Sequence, residues 1–495
     1  MNSLSRGAGI LLPISSLPSP YGIGTLGAEA FSFVDFLRKS GQSYWQVLPV
    51  GPTSYGDSPY QSFSAFAGNP YFIDLELLRK EGLLTARELS QLPVIPPERV
   101  DYAALFSSRF ELLNRAWRRF RSGETSGKFL SFCRRHADWL EDYALFMALK
   151  EHFGYQEWLL WDEDVRMRKE DALERFCVLL ADRIDFWKFC QYAFFRQWIA
   201  LRQYANQSGI SLIGDIPIYT ALDSADVWAN RELFQLDETG QPTAVAGVPP
   251  DAFAETGQRW GNPLYDWERM ERDGFDWWRR RIAACAALYD VIRIDHFIGI
   301  VRYYAISADS DTAVQGEWRE GPGERLTDVI EKAAGEAHIL AEDLGVLHPS
   351  VRSLLRETGY PGMKVLLFGF DGQPTNEHLP HNFRTHNMAV YGGTHDNDTI
   401  AGFCKKADPA VLSYMMRYLR VQSPEQIPPA MVYAAYASIA DIAIFQMQDL
   451  LSLDNAARMN TPSTIGGNWT WRLRPKTLTD QLADQLRELT ALYNR

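Results

Sequence analysis

Short apolar runs that end in polar residues, Gly or Pro recur along the whole chain. The clearest run reads V-I-R-I-D-H-F at Val291–Phe297, and its apolar residues are typical of a strand buried on both faces of a parallel sheet. Eight such runs are present, at Gly9–Ile14, Tyr44–Val50, Ser211–Ile218, Val291–Phe297, His338–Leu344, Lys364–Phe370, Met388–Thr394 and Ile442–Leu451. Eight is the number of strands in a (β/α)8 TIM barrel, so the pattern predicts an α/β fold of this class.

The intervals between the runs are helix-like and uneven in length. One predicted helix has apolar residues at steps of three and four, at Trp187, Cys190, Phe194, Trp198 and Leu201. Because the longer intervals exceed one βα unit, we predict a single barrel over 1–495 with two insertions, a helical subdomain at about 79–185 and a loop-rich subdomain at about 219–288. A doubly wound open sheet is the alternative, and the two folds differ in whether the first and last strands pair.

Composition narrows the partners that the chain can have. A net charge of −12 and a pI near 5.4, with no basic run, argue against nucleic acid. Five Cys without ligand spacing, no signal-peptide core and no membrane-length apolar stretch predict a cytoplasmic protein with no membrane partner. The 15 Trp, 22 Tyr and 27 Phe fit either a large aromatic core or flat surfaces for sugar rings.

Acidic residues end or follow four of the predicted strands. Asp215 ends the third run, Asp295 lies in the fourth, Glu342 and Asp343 lie in the fifth, and Asp396 follows the seventh. Because the carboxyl ends of barrel strands converge on one mouth, we expect these acids to lie together. Two carboxylates that flank a glycosidic bond are what glycoside chemistry requires.

Arg293 and Asp295 are two residues apart, so they lie on the same side of their strand. A buried pair of this kind is either a structural ion pair or part of a catalytic site. A magnesium or calcium site is a further alternative, because Asp396–Asp398 adds acids to the cluster. Since Arg293 already supplies a positive charge that favours an ionised nucleophile, we expect no metal.

Glu342 lies in A-E-D-L-G, where apolar neighbours and other carboxylates favour a raised pKa and a protonated acid. Which of Glu342 and Asp343 points into the mouth depends on the strand register, which is open at this point. His296 and His395 each adjoin an acid. They are predicted to hydrogen-bond hydroxyl groups rather than zinc, because no third ligand has zinc spacing, and a structural role is the alternative.

Several motifs carry a family resemblance that extends nearly from end to end. They are G-D-S-P-Y-Q-S-F-S-A-F-A-G-N-P (Gly56–Pro70), G-D-I-P (Gly214–Pro217), T-G-Q-R-W-G-N-P-L-Y (Thr256–Tyr265), R-I-D-H-F (Arg293–Phe297), A-E-D-L-G (Ala341–Gly345), P-G-M-K-V-L (Pro361–Leu366), T-H-D-N-D-T (Thr394–Thr399) and N-W-T-W-R (Asn468–Arg472). The sequence resembles the 4-α-glucanotransferases called amylomaltase or disproportionating enzyme, in the α-amylase superfamily. This implies a retaining enzyme that transfers α-1,4-glucan segments from a donor to an acceptor glucan or glucose, without a cofactor.

The resemblance also implies roles for individual residues. It makes Asp295 the nucleophile, Glu342 the acid/base and Asp396 the stabiliser of the distorted sugar. The substrate-binding residues that it implies are Arg293, His296, His395, Asp215, Tyr60, Ser58, Trp260, Asn460, Phe253, Tyr55 and Phe368. The resemblance also implies where three of the aromatic residues lie. Tyr60 lies beside the cleavage site, Trp260 in the acceptor-side lid formed by the second insertion, and Tyr55 in a second glucan groove.

Three positions depart from the family pattern. Ala252 stands where Tyr is common, Ser463 where Gly is usual and Leu367 where Gln is common. A glucanotransferase remains the main hypothesis, and an α-glucan hydrolase on the same barrel is the alternative. A non-catalytic glucan-binding barrel is disfavoured because all three acids are intact. We expect a monomer or a weak homodimer.

Overall fold

The computed structural model of the chain describes residues 4–54, 56–123, 127–250, 255–345, 348–464 and 466–495. The strands of the described residues are β1 (Gly7–Leu11), β2 (Tyr44–Gln46), β3 (Ser211–Pro217), β4 (Ala244–Val248), β5 (Gln258–Pro263), β6 (Val291–Asp295), β7 (Arg302–Ser307), β8 (Gly316–Glu320), β9 (His338–Ala341), β10 (Gly362–Val365), β11 (Met388–Tyr391) and β12 (Ile442–Gln446). Each of the eight predicted runs overlaps one of these strands, although β1 and β10 each begin two residues before the predicted run.

Eight parallel strands form the central sheet, in the order β10-β11-β12-β1-β2-β3-β6-β9. The first and last strands of the chain pair from Gly7 opposite Ile442 to Leu11 opposite Gln446. This pairing answers the question that the sequence left open, and the (β/α)8 barrel is confirmed. The barrel is nearly closed, because the seam between β9 and β10 is bridged by a hydrogen bond of 2.9 Å from the Ala341 N–H to the Pro361 carbonyl oxygen.

The central strands are buried, as their continuous apolar sequences require, and most residues of β1, β6, β9, β11 and β12 are inaccessible to solvent. The predicted runs Lys364–Phe370 and Ile442–Leu451 extend past their strands into short helical turns at Leu366–Gly369 and Met447–Leu450. Helices between or after the barrel strands lie at Ala28–Lys39, Ala181–Gln207, Asp276–Leu288, Glu324–Ala334, Pro349–Thr358, Ile400–Lys406, Pro409–Leu419, Ile427–Tyr436 and Asp480–Leu492. The predicted apolar helix stripe falls within the second of these helices, where its members are buried.

The interval between β2 and β3 is helical over most of its described length. Its helices before Ala181–Gln207 lie at Leu75–Lys80, Ala86–Leu89, Tyr102–Ser122, Gly127–Arg135, Ala137–His152, Glu163–Arg166 and Glu170–Leu179. The helical character predicted for about 79–185 is therefore present, while the boundaries of a subdomain stay a prediction.

The second predicted insertion, at about 219–288, contains more regular structure than its Gly- and Pro-rich sequence indicates. It contributes β4 and β5 to an antiparallel sheet of four strands, in the order β5-β4-β7-β8. The other two strands follow β6 and lie outside the predicted insertion. The sheet therefore joins chain segments on both sides of β6, and it carries Trp260 on β5.

Candidate active site

Four charged residues at the carboxyl ends of β3, β6 and β9 form what we call the strand-tip cluster: Asp215, Arg293, Asp295 and Glu342. The pairing of β3 with β6 places Asp215 opposite Arg293. The Arg293 Nη1 donates to both carboxylate oxygens of Asp215, at 2.6 and 2.7 Å, and to the Asp295 Oδ1 at 2.8 Å. Asp215 and Arg293 are buried, whereas the Asp295 side chain is 29% exposed. Asp295 is thus held by a buried guanidinium and open to the mouth.

Glu342 follows β9 directly, and its two carboxylate oxygens accept backbone hydrogen bonds. Oε2 accepts from the His296 N–H at 2.7 Å, and Oε1 accepts from the Leu344 N–H at 2.9 Å. Burial raises the pKa of Glu342 to about 7, and the negative charge of Asp295 adds to the rise. A carboxyl group with this pKa is substantially protonated near neutral pH, so it is able to donate a proton.

Asp343 lies next to Glu342 and has a different task. Its Oδ1 accepts from the Met363 N–H at 2.6 Å, where β10 begins, so it supports the open seam of the barrel. Because successive side chains of an extended segment alternate in direction, only one of the two acids faces the mouth. Glu342 is that residue, because its carboxylate accepts from the backbone of His296, next to Asp295, whereas the Asp343 carboxylate turns to β10.

His296 connects the strand-tip cluster to the second sheet. Its backbone has a φ of 52°, a left-handed conformation that is rare for residues other than Gly. Burial lowers the pKa of its imidazole to about 4, so the ring is neutral near pH 7. Its Nε2 is buried without a hydrogen-bond partner among the described residues, and its ring meets Trp260 edge to face at 4.9 Å. A substrate hydroxyl is a suitable partner for this nitrogen.

A second group, which we call the loop cluster, consists of Tyr60, His395, Asp396 and Asn460 from three loops. The rings of Tyr60 and His395 stack at 4.9 Å, and the Tyr60 hydroxyl donates to the Asp215 Oδ2 at 2.8 Å. The Asn460 Nδ2 donates to the Asp396 Oδ1 at 2.6 Å, and the His395 Nε2 lies 3.4 Å from Asp396 Oδ2. The Tyr60 hydroxyl therefore links the loop cluster to the strand-tip cluster.

The neighbours of Asp396 keep its carboxyl group ionised, although burial in the mouth favours the protonated form. Burial raises its pKa, but His395 and the hydrogen bond from Asn460 outweigh burial and lower the pKa to about 2. Its side chain remains 46% exposed. Asp396 is thus a charged acceptor near neutral pH, and its side chain is partly open to solvent.

Comparison with known proteins identifies the family of the chain. The profile of the glycoside hydrolase 77 family, described as 4-alpha-glucanotransferase, matches residues 12–479. The chain belongs to this family. It is 47% identical over 493 residues to the 4-alpha-glucanotransferase of Streptococcus pneumoniae, which covers 99% of this chain and 97% of that protein. It is 48% identical over 501 residues to the 4-alpha-glucanotransferase of Thermus thermophilus, which covers 99% of each chain.

The fold agrees with a solved structure of the same family. An amylomaltase from Streptococcus agalactiae, solved in complex with acarbose, superimposes with a TM-score of 0.96 at 43% identity over 99% of both chains. The predicted family and the predicted enzyme class, 4-alpha-glucanotransferase, are confirmed. The roles of individual residues in this 4-alpha-glucanotransferase stay predictions.

Most of the predicted site residues lie in one of the two clusters or next to it. Ser58 supports the Tyr60 loop, because its hydroxyl accepts from the Tyr60 N–H at 3.3 Å. Phe368 lies in the turn Leu366–Gly369 that follows β10, and its ring meets His378 edge to face at 5.6 Å. The remaining predicted positions lie outside the described residues, namely Tyr55, Phe253 and the departure Ala252.

Two residues of the site were missed by the sequence reasoning. Trp469 lies 5.8 Å from the Tyr60 ring and 5.9 Å from the His395 ring, between centroids, so it completes an aromatic wall. Arg458 is hydrogen-bonded to the backbone of both Asp396 and Asn460. Trp469 lies in the family motif N-W-T-W-R, and this motif is the feature of the sequence that points to it. Arg458 lies in none of the family motifs named above.

The acids of Asp396–Asp398 are paired with protein groups. Asp396 accepts from Asn460, and Asp398 is ion-paired with Arg458. Within the described ranges, no group of three or more His, Cys, Asp or Glu residues is arranged to hold a metal ion. In the same residues, no helix is long and apolar enough to cross a membrane.

Proposed function

We propose that this enzyme transfers α-1,4-glucan segments from a donor maltooligosaccharide to the 4-hydroxyl of an acceptor glucan or glucose, by a retaining double displacement. The observation that carries the proposal is the contrast between two carboxyl groups at neighbouring strand tips. Asp295 is hydrogen-bonded to the Arg293 guanidinium, whereas burial raises the pKa of Glu342 to about 7. One group suits a nucleophile and the other suits a general acid.

In the first displacement, a carboxylate oxygen of Asp295 attacks the anomeric carbon of the donor sugar. The bond from that carbon to the 4-oxygen of the leaving glucan breaks, and Glu342 protonates this oxygen. The product is a β-linked glycosyl ester on Asp295 and a free glucan. Arg293 restrains the attacking carboxylate, because its Nη1 donates to Asp295 as well as to Asp215.

In the second displacement, the 4-hydroxyl of an acceptor glucan attacks the same carbon. Glu342, now ionised, removes the proton of this hydroxyl, and the Asp295 carboxylate departs. The α configuration is restored because two inversions have occurred. A pKa of about 7 lets Glu342 both donate and accept a proton near neutral pH.

The loop cluster fits the task of holding the reacting sugar. Asp396 is ionised and 46% exposed, and Asn460 and His395 hold its carboxylate in place. An ionised acceptor of this kind binds two adjacent sugar hydroxyls and favours a distorted ring. The unpartnered Nε2 of His296 is a further candidate contact for a hydroxyl.

Transfer must be faster than hydrolysis although water is abundant. A bound acceptor has a large effective concentration, and aromatic surfaces that exclude water increase its advantage. Trp260 is in a suitable place, because it packs against His296 beside the strand-tip cluster. We propose that Trp260 and the adjoining segment of the second insertion hold the acceptor.

The deciding experiment is the conversion of maltotriose, followed over time with glucose and reducing ends measured separately. Transfer releases glucose and longer glucans while the number of reducing ends stays constant. Hydrolysis raises the number of reducing ends as fast as bonds are cleaved. A rise of that kind would replace the transferase by the α-glucan hydrolase, and no change in either quantity would refute both. The Asp295→Asn variant serves as the control for non-enzymatic change.

A further inference from the structure

We propose that Arg458 is a positioning residue that fixes Asp396 and Asn460 in the loop cluster, and that it thereby sets the rate of glucan transfer without contacting the substrate. This role presupposes the function proposed above, because it concerns the same site. It also gives a task to Asp398, an acid that the proposed mechanism does not use.

The side chain of Arg458 connects two loops that follow different barrel strands. Its Nη2 donates to the backbone oxygen of Asp396 at 2.6 Å, and its Nε donates to the backbone oxygen of Asn460 at 2.6 Å. Its Nη1 is paired with the carboxylate of Asp398. Since Asp396 follows β11 and Asn460 follows β12, one guanidinium joins the two loops.

These contacts lie directly behind the working contact of the loop cluster. The Asn460 side chain donates to the Asp396 carboxylate at 2.6 Å, and the Asn460 N–H donates to the His395 carbonyl oxygen at 3.1 Å. Arg458 is hydrogen-bonded to the backbone of both partners of the bond between the side chains of Asn460 and Asp396. It therefore controls the direction in which the Asp396 carboxylate points.

The geometry requires an arginine rather than any cation. A guanidinium presents its N–H groups in fixed directions in one plane, and here three nitrogens of Arg458 reach three different acceptors. A lysine ammonium is a single centre on a flexible chain and is unable to replace all three contacts. The Arg458 and Asp398 side chains are 19% and 17% exposed, so water competes only weakly for these bonds.

Arg458 acts through position rather than through its charge on Asp396. The groups that act most strongly against the effect of burial on the Asp396 pKa are His395, Asn460 and Arg293. The charge of Arg458 is compensated at contact distance by Asp398. Loss of Arg458 is thus expected to displace the carboxylate of Asp396, and a displacement of about 1 Å costs roughly 100-fold in rate.

The test is chemical rescue of the Arg458→Ala variant. We expect kcat for maltotriose transfer to fall about 100-fold. Methylguanidinium is expected to restore at least a tenth of the lost rate, while ammonium at the same ionic strength restores none. We expect Arg458→Lys to show a similar loss, although its charge is kept.

The matched control is Lys406→Ala. Lys406 is exposed, and its Nζ lies 3.6 Å from the Asp398 Oδ1. Among the described residues, it makes no hydrogen bond to Asp396 or Asn460. This variant is expected to keep the wild-type rate. A wild-type kcat in Arg458→Lys would overturn the inference. So would a loss of kcat in Arg458→Ala that comes with a lower thermal unfolding midpoint and is not restored by methylguanidinium. If Arg458→Ala does not fold, Arg458→Lys decides alone, because a rate loss with an unchanged thermal midpoint supports the positioning role. Failure of the wild-type enzyme to transfer glucan would instead refute the proposed function.

Discussion

The strand-tip cluster and the loop cluster share one mouth but are built by different means. Asp295 and Glu342 take their positions from β6 and β9, whose parallel pairing places Ile294 opposite Ala341. Asp396 and Asn460 lie on loops, and side-chain contacts across those loops hold them. The first arrangement is part of the barrel itself. The second depends on individual hydrogen bonds, so single substitutions have different consequences in the two clusters.

The two clusters also differ in how they treat a carboxyl group. Burial raises the pKa of Glu342 to about 7, which favours the protonated form. In the loop cluster, His395 and Asn460 overcome burial and lower the pKa of Asp396 to about 2. A site that must protonate a leaving group and also stabilise positive charge on a sugar requires both environments.

The largest effect is expected for Asp295→Asn in the strand-tip cluster. The amide is unable to attack the anomeric carbon, so kcat for maltotriose transfer should fall by about four orders of magnitude or more. Intact-protein mass measured after rapid acid quenching should show a glycosyl adduct on the wild-type enzyme and none on the variant. Circular dichroism provides the control for folding. Retention of wild-type turnover would remove Asp295 from the role of nucleophile.

The next largest effect is expected for Glu342→Gln. Loss of the general acid should lower kcat by about 10²- to 10⁴-fold. In the proposed mechanism, the free enzyme needs Glu342 protonated for the first displacement, so wild-type kcat/KM should decline as the pH rises through about 7. This alkaline limb should be absent from the variant, and Asp343→Asn should retain it. An alkaline limb that persists in Glu342→Gln would assign the proton donor to another group.

The strand-tip cluster was far easier to predict from the sequence than the loop cluster. Buried parallel strands have continuous apolar sequences, so the strands that carry Asp215 and Asp295 were visible, and the position of their carboxyl ends followed from the barrel. The strand pattern alone left the choice between Glu342 and Asp343 open, because the register was unknown, and only the family resemblance named Glu342. The contacts of Arg458 connect separate loops, and such contacts leave no periodic pattern in a sequence.

The second sheet shows the same limit. Strand β8 reads G-E-W-R-E and is largely exposed, so it has no apolar alternation from which a strand could be predicted. The aromatic wall was equally hidden. Trp469 reaches the rings of Tyr60 and His395 only because three loops meet at the mouth. Position within the barrel was therefore predictable, while contact between loops was not.

A smaller effect, on stability, is expected to have opposite signs in the two clusters. Because the folded pKa of Glu342 is raised to about 7, the folded state binds the proton more tightly, and stability is lost as the pH rises from the unfolded pKa through about 7. The free energy of unfolding of Glu342→Gln, relative to that of wild type, should thus rise by about 1 to 3 kcal/mol between pH 4 and pH 8. The loss of one oxygen that accepts a backbone N–H adds a cost that does not depend on pH.

Asp396→Asn should behave in the opposite way. The lowered pKa of Asp396 contributes stability above the unfolded pKa that is lost as the pH falls through about 2. Because the side chain is 46% exposed, solvent screens the contribution, and a loss of about 1 kcal/mol or less is expected at pH 7. Urea unfolding of both variants at pH 4 and pH 8 measures the two signs. Equal shifts in the same direction would contradict the division between the clusters.

The smallest effect is expected at Ser463, in the loop that follows Asn460. Ser463 has a φ of 61°, a conformation that Gly adopts without strain and other residues adopt at a cost. Ser463→Gly removes this strain but increases the entropy of the unfolded chain, so a net gain below about 1 kcal/mol is expected. Ser463→Ala keeps the Cβ atom and should bring no gain. Urea unfolding at pH 7 compares the two variants, and transfer of maltotriose should stay at the wild-type rate in both. A rate change without a stability change would show that the loop conformation, rather than the contacts of Arg458 alone, positions Asn460.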